Sequence, residues 1–244
     1  MKFKACVLQF EVKEGDFESN YRRFLKLQQM CDSASLIVAP ELFLTGFFYR
    51  DMNSAFSFSK TVLNEISKLS KERSLTLVFS VVEKVNSKFF NCVKVLDRGK
   101  EVLSRPKVKL FLPTKEHEYF AQGSMEDVKI APTSCGNLAP VVCFELRFSE
   151  IFVRLKRQGA QVYTLCAQWG RARKEHWKLL TAARAVETQR FVVASNATGT
   201  MAGNSVIVDP WGRVLKSCAD AEGIAMCEVD TDFINTVERK LPMG

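Results

Sequence analysis

The sequence predicts an α/β fold of packed mixed β-sheets with helices on the outside, and three observations predict it. Short apolar stretches alternate with amphipathic ones almost from end to end, the rhythm of strands and helices taking turns. Asp97-Arg-Gly-Lys100 lies between the strand-like runs Phe89–Leu96 and Glu101–Ser104. That is a hairpin signal, which a purely parallel sheet would not need. No Pro/Gly/Ser-rich linker, repeat or low-complexity tract interrupts the 244 residues, and 47% hydrophobic content can fill one large core, so a single domain over residues 1–244 is expected.

Taken in order, Lys4–Gln9 reads as a strand, and Phe17, Tyr21, Phe24, Leu25 and Gln28 mark one face of a helix. Leu36–Ala39 is a buried strand stopped by Pro40, and Phe58, Val62, Ile66 and Leu69 give a second amphipathic helix before the strand Leu75–Val82. The hairpin follows, and then a loop-rich stretch from Pro106 to Gly136. The apolar run Leu138-Ala-Pro-Val-Val-Cys143 is a strand leading straight into a helix that reaches about Lys156. Gln161–Cys166 is a strand, residues 174 to 189 a long helix, and Phe191–Asn196, Ser205–Val208 and Gly223–Val229 the late strands.

Composition narrows the function. The apolar part of Met1–Phe10 is too short, and too soon followed by Glu11, Lys13 and Glu14, for a signal peptide. No apolar stretch reaches the length of a membrane span. A cytoplasmic protein with most or all of its eight cysteines reduced is therefore expected. Those cysteines form no C-x-x-C pair and only His117 and His176 could assist them, which argues against structural zinc. The net charge of +8 is spread along the chain and not gathered in a stripe. It favours attraction of small anions over a nucleic-acid partner.

Three residues carry the chemistry. Cys143 sits at a strand-to-helix elbow, where the helix N-terminus favours thiolate over thiol; taken alone it reads more often as a buried inert thiol. Glu41 emerges where the strand Leu36–Ala39 ends, as a reacting carboxylate or a rim acid paired to a surface lysine. Lys107 follows the strand before it, as a fixed ammonium or a solvated one. Together they make a workable set: a carboxylate takes the thiol proton, the ammonium holds charge on a substrate oxygen, and the sulfur attacks an amide carbon. The set asks for no metal and no organic cofactor.

Ala39-Pro-Glu-Leu-Phe-Leu-Thr-Gly-Phe47, Pro106-Lys-Val-Lys-Leu-Phe111 and Val142-Cys-Phe-Glu-Leu-Arg-Phe148 resemble the glutamate, lysine and cysteine blocks of the nitrilase (carbon-nitrogen hydrolase) superfamily. Their order and spacing, 41 to 107 to 143, match its pattern. The resemblance implies a four-layer α-β-β-α sandwich, with Cys143 as nucleophile, Glu41 as general base and Lys107 stabilising the tetrahedral intermediate with the backbone N–H of Phe144. It implies a second glutamate after the lysine block, Glu116, with Glu118 a near competitor. Gln168-Trp169, Arg173, His176-Trp177, Arg184-Ala-Val-Glu187 and Gly203-Asn-Ser205 resemble the later stretches of amidase-type members. Trp169 reads as a pocket wall or simple core, His176 as a packed histidine, and Arg184 with Glu187 as a structural ion pair. Arg147 either meets a substrate carboxylate or pairs with Glu150 to hold the elbow, and the structural role is preferred.

The chain departs from the pattern at Pro106, where arginine is frequent, at Lys109, where histidine is, and at Glu145, where aspartate is. The extra lysine favours an anionic ligand. The resemblance thus implies a cysteine-dependent hydrolase of small linear amides, ω-amides of dicarboxylic acids by preference, working through a thioester. It implies a homodimer or larger even-numbered homo-oligomer. Nitrile and carbamoyl-amine hydrolysis are alternatives within the superfamily. A non-catalytic interaction protein that keeps the fold is the alternative from another class.

Overall fold

In a strand every second side chain faces the same way, and this alternation sets the layers of the chain. The computed structural model describes residues 1–31 and 35–243. Its elements run β1 (Lys2–Gln9), α1 (Phe17–Gln29), β2 (Leu36–Val38), α2 (Met52–Glu72), β3 (Thr76–Val85), β4 (Lys88–Asp97), β5 (Lys100–Pro106), α3 (Glu116–Tyr119), β6 (Ala131–Thr133), β7 (Gly136–Val142), α4 (Ser149–Arg157), β8 (Val162–Ala167), α5 (Lys174–Thr188), β9 (Phe191–Asn196), β10 (Val206–Val208), β11 (Val214–Ser217), β12 (Gly223–Asp230) and α6 (Asp232–Lys240). Phe3, Ala5 and Val7 of β1 and Leu36 and Val38 of β2 enter the core between two sheets. The intervening Cys6, Leu8 and Ile37 enter a second core, closed by Tyr21, Phe24 and Leu27 of α1 and Val62 and Ile66 of α2. Both faces of these strands are therefore buried, which is why the sequence shows them as continuous apolar runs.

The first sheet has strand order β12-β1-β2-β3-β4-β5 and the second β11-β10-β9-β8-β7-β6. Each has a parallel centre, β1-β2-β3 in one and β7-β8-β9 in the other, flanked by antiparallel neighbours. On the outer face of the second sheet, Ile151, Phe152 and Leu155 of α4 and Trp177 and Ala185 of α5 are buried in one cluster with Tyr163 and Leu165 of β8. The result is the expected four-layer α-β-β-α sandwich. Since β5 is antiparallel to β4, which is antiparallel to β3, β5 runs the same way as β2. The chain thus leaves β2 and β5 at one end of the first sheet. The Glu41 N–H donates to Ala167 O at 3.4 Å, placing the end of β8 at that same edge.

Four expectations change. The segment after Cys143 is a short 3-10 turn, Cys143–Arg147, broken from α4 by Phe148 in an extended conformation. The stretch read as loop contains α3 and the edge strand β6. The strand β11 is exposed throughout and α6 has only nine residues, so neither offers a long periodic pattern. Cys6 and Cys31 meet as a disulfide, because Cys6 faces the helix layer where the chain emerges from α1; the other six cysteines are free. Among the described residues, no helix is long and apolar enough to cross a membrane.

Phe24, 1% exposed, packs against Phe43 in a tilted arrangement at a centroid distance of 4.7 Å and so supports the loop that carries Glu41. Phe24→Ala is expected to lower the unfolding free energy by about 3–5 kcal/mol through the cavity it leaves. Denaturant titration checks this.

Candidate active site

Glu41, Lys107 and Cys143 converge where the two sheets end. The lysine Nζ lies 2.8 Å from Glu41 Oε1, both groups buried. Asn91, on β4, donates its amide to the same oxygen at 2.8 Å. The other oxygen, Oε2, accepts the Gln168 N–H at 3.2 Å, and the Gln168 side chain donates back to Glu41 O at 2.8 Å. Cys143 follows β7 with a positive φ of 44°. Such a backbone is strained for a residue with a Cβ and is characteristic of sites where the fold over-determines a side chain. The thiol shares a cavity wall with the Glu41 carboxylate, whose charge raises its pKa.

Glu116 rather than Glu118 is the second carboxylate. Both its oxygens are 2.9 Å from the Lys107 Nζ, and it accepts the Phe111 N–H at 2.6 Å. Glu118 is exposed, 3.5 Å from Lys115. Lys107 is thus a buried cation between two buried anions. Burial pulls its pKa down, but Glu41 and Glu116 overcome this and raise it, so the ammonium is permanent. Burial raises the Glu41 carboxyl, opposed first by Lys107, which makes it a stronger proton acceptor than a solvated glutamate.

The thiol departs from the sequence reading. Burial, then the Glu41 charge, push Cys143 well above the ordinary range. The short 3-10 turn that follows supplies no long helix dipole to reverse this. Burial and the Glu41 charge both favour the thiol over the thiolate.

A clamp that sequence reasoning missed joins the two loops. Glu145, fully buried, accepts from Arg105 Nη1 at 3.0 Å and Nη2 at 2.6 Å. Its oxygens also accept the Val108 N–H at 2.7 Å and the Val142 N–H at 2.8 Å. Those amides are next in chain to Lys107 and Cys143, so one carboxylate fixes ammonium and sulfur relative to each other. The signal was present as Glu145 and as Arg105 before Pro106, but only folding places them face to face.

Beside the triad lies a cavity of about 660 Å³ whose wall includes Phe144, Gln168, Trp169, Arg147 and Arg173. Phe144 packs its ring between Phe111 and Phe148, at 5.1 and 5.2 Å. Trp169 walls the cavity while 3% exposed. Lys109 is not part of this wall; its Nζ is 3.4 Å from Glu150 and 4.5 Å from the Phe148 ring centroid. Arg147 consequently does not pair with Glu150, and approaches the exposed His176 at 3.0 Å. Arg184 and Glu187 form the expected pair at 2.8 Å. Among the described residues, no group of three or more His, Cys, Asp or Glu is arranged to hold a metal ion.

The sequence matches the model of the carbon-nitrogen hydrolase family over residues 4–239. It is 31% identical over 258 residues to a 2-oxoglutaramate amidase of Bacillus subtilis (strain 168), covering 100% of this chain and 96% of that protein. It is 28% identical over 275 residues to a deaminated glutathione amidase of Dictyostelium discoideum, covering 99% and 93%. The crystal structure of Nit3 from Saccharomyces cerevisiae, a member of branch 10 of the nitrilase superfamily, superposes with a TM-score of 0.89 at 22% identity, covering 99% of this chain and 95% of that one.

Two outcomes are expected from this geometry. Glu145→Gln leaves the buried Arg105 charge without its counterion and is expected to destabilise by about 3–5 kcal/mol, measured by chemical denaturation. Glu41→Gln removes a negative charge that raises the Cys143 pKa and leaves the Lys107 charge that lowers it. The thiol is therefore expected to ionise at lower pH in Glu41→Gln than in the parent. The ultraviolet thiolate absorbance, followed across pH against a Cys143→Ala blank, reads this directly; an unchanged or higher midpoint contradicts it.

Proposed function

The chain belongs to the carbon-nitrogen hydrolase family, and from that premise we propose that it is an amidase of small linear amides, with ω-amides of dicarboxylic acids as its preferred substrates. The observation that carries this reading is the buried contact of Lys107 with Glu41 at 2.8 Å, on the wall of a cavity that Cys143 also lines. The 2-oxoglutaramate amidase and the deaminated glutathione amidase among its relatives support the amide class.

In this mechanism the substrate carbonyl enters between Cys143 and Lys107. As the sulfur attacks the carbonyl carbon, its proton passes to Glu41, and the negative charge moves to the carbonyl oxygen. That oxygen is held by the Lys107 ammonium and the backbone N–H of Phe144. Glu41 returns the proton to the departing nitrogen, the C–N bond breaks, and ammonia or an amine leaves a thioester on Cys143. The carboxylate then takes a proton from water, hydroxide adds to the thioester, and the acid departs as the proton returns to sulfur. Glu116 holds Lys107 in place and keeps it charged. A raised Glu41 pKa suits both proton transfers, since the same group must accept and then donate.

Residues 1–244 act as one catalytic unit in this reading, in the cytoplasm. Copies associate through the outer helices, where Leu179 of α5 is 68% exposed and Val186 is 45% exposed. Apolar side chains so placed favour a partner surface, and light scattering of the purified protein reports the assembly.

Ammonia release from a panel of small amides, nitriles and carbamoyl amines tests the activity. Cys143→Ala is expected to abolish turnover, and Glu41→Gln and Lys107→Met to lower kcat by about 10²–10⁴-fold each. Substantial amide hydrolysis by the Cys143→Ala protein rules the mechanism out.

A further inference from the structure

We propose that Arg147 and Arg173 form a two-guanidinium subsite that takes a carboxylate borne by the substrate at the end remote from the scissile amide. This rests on the amidase reading and names the residues and chemical group by which that site selects its substrate.

Both arginines line the cavity that contains Cys143, and no carboxylate among the described residues lies within ion-pair distance of either. Three arginines that are buried or half-buried elsewhere are neutralised: Arg105 by Glu145, Arg184 by Glu187 and Arg190 by Glu238. Arg147 has His176 Nδ1 at 3.0 Å. A guanidinium can only donate, so Nδ1 is assigned as the acceptor, and a neutral ring brings no counter-charge. The two guanidiniums are close enough to disfavour each other. Burial, then the Arg173 charge, pull Arg147 below the usual range, while Cys143 acts on it in the opposite sense. Two like charges on one wall, neither with a carboxylate of the described residues at ion-pair distance, can take a planar anionic group between them.

Their placement is built. The Trp169 ring carries the Arg147 guanidinium on its face at 4.8 Å, and its indole N–H donates to Arg173 O at 2.7 Å. The Arg173 guanidinium stacks on Phe111 at 4.9 Å. Gly170 leaves room for it: a Cβ there would come 2.9 Å from Arg173 Nη2. Trp169 thus holds one cation on its ring and the backbone of the other, whose guanidinium rests on Phe111, and guanidiniums held in this way are pre-organised for a planar carboxylate. Because Arg147, Arg173 and Cys143 line the same cavity, one small substrate can present its carboxylate to the arginines and its carbonyl to the sulfur. Glu11 and Glu14 belong to the same wall, and Glu11 is engaged by Arg23 at 3.8 Å.

Two measurements test the assignment. Glutarate binding to Cys143→Ala protein, read by calorimetry, is expected to weaken at least tenfold when Arg147→Gln or Arg173→Gln is added, with Arg147→Lys intermediate. In protein with the thiol intact, kcat/KM for glutaramate relative to the neutral isostere valeramide is expected to fall at least tenfold in each glutamine variant. Across succinamate, glutaramate and adipamate, the wild-type preference should peak at one length. Glutarate affinity unmoved by both substitutions overturns the proposal, as does equal wild-type kcat/KM for glutaramate and valeramide. Failure to release ammonia from any amide would instead refute the amidase reading, because the binding measurement needs no turnover.

Discussion

Three ionised side chains, Glu41, Lys107 and Glu116, are held together out of water, and the fold around them is organised to make that tolerable. Isolated burial of any one would be prohibitive, and even a paired set is stable only when its remaining lone pairs and protons are satisfied. Here Asn91 from the first sheet, Gln168 from the end of the second and the Phe111 amide supply those partners. A cluster fed from both sheets can exist only where the two sheets end side by side. The site is therefore a consequence of sandwich closure, and could not persist in either sheet alone.

The relation between Lys107 and Cys143 depends on a second buried pair. Arg105 is tied to Pro140 O at 2.7 Å as well as to Glu145, so the last residues of β5 are fastened to β7 before either chain reaches its reacting group. Because Glu145 also accepts the amides of Val108 and Val142, the elbow at Cys143 cannot relax without breaking charge-assisted bonds. This accounts for a cysteine retained at φ 44°: local backbone strain is offset by a network that has no alternative geometry.

Much of this was legible in the chain for physical reasons. Strands such as β1, β2 and β8 are buried on both faces and so announce themselves as apolar runs. The amphipathic faces of α1 and α2 follow from the spacing of Phe17, Tyr21 and Phe24, and of Val62 and Ile66. Glu41, Lys107 and Cys143 could be nominated because each follows a readable strand. What was hidden lacked periodicity or depended on distance in space. The exposed β11 has no buried face to signal it. The break at Phe148 arises from turn geometry and not from helix propensity. Glu145 looked like a conservative departure until its four hydrogen-bond donors were placed around it, and Arg147 could not be told from a structural arginine without knowing that Lys109 had already taken Glu150.

The state of the thiol follows from the same charge arithmetic. Lys107 faces the two carboxylates of Glu41 and Glu116, and ionising Cys143 would add a further negative charge, which burial and the Glu41 charge both oppose. The favourable exchange is to move the sulfur's proton onto Glu41 while the sulfur's electrons move onto a substrate carbonyl, so that the new charge appears on an oxygen facing Lys107. In the proposed mechanism the site therefore favours the tetrahedral adduct over a free thiolate, which is the differential stabilisation that catalysis requires.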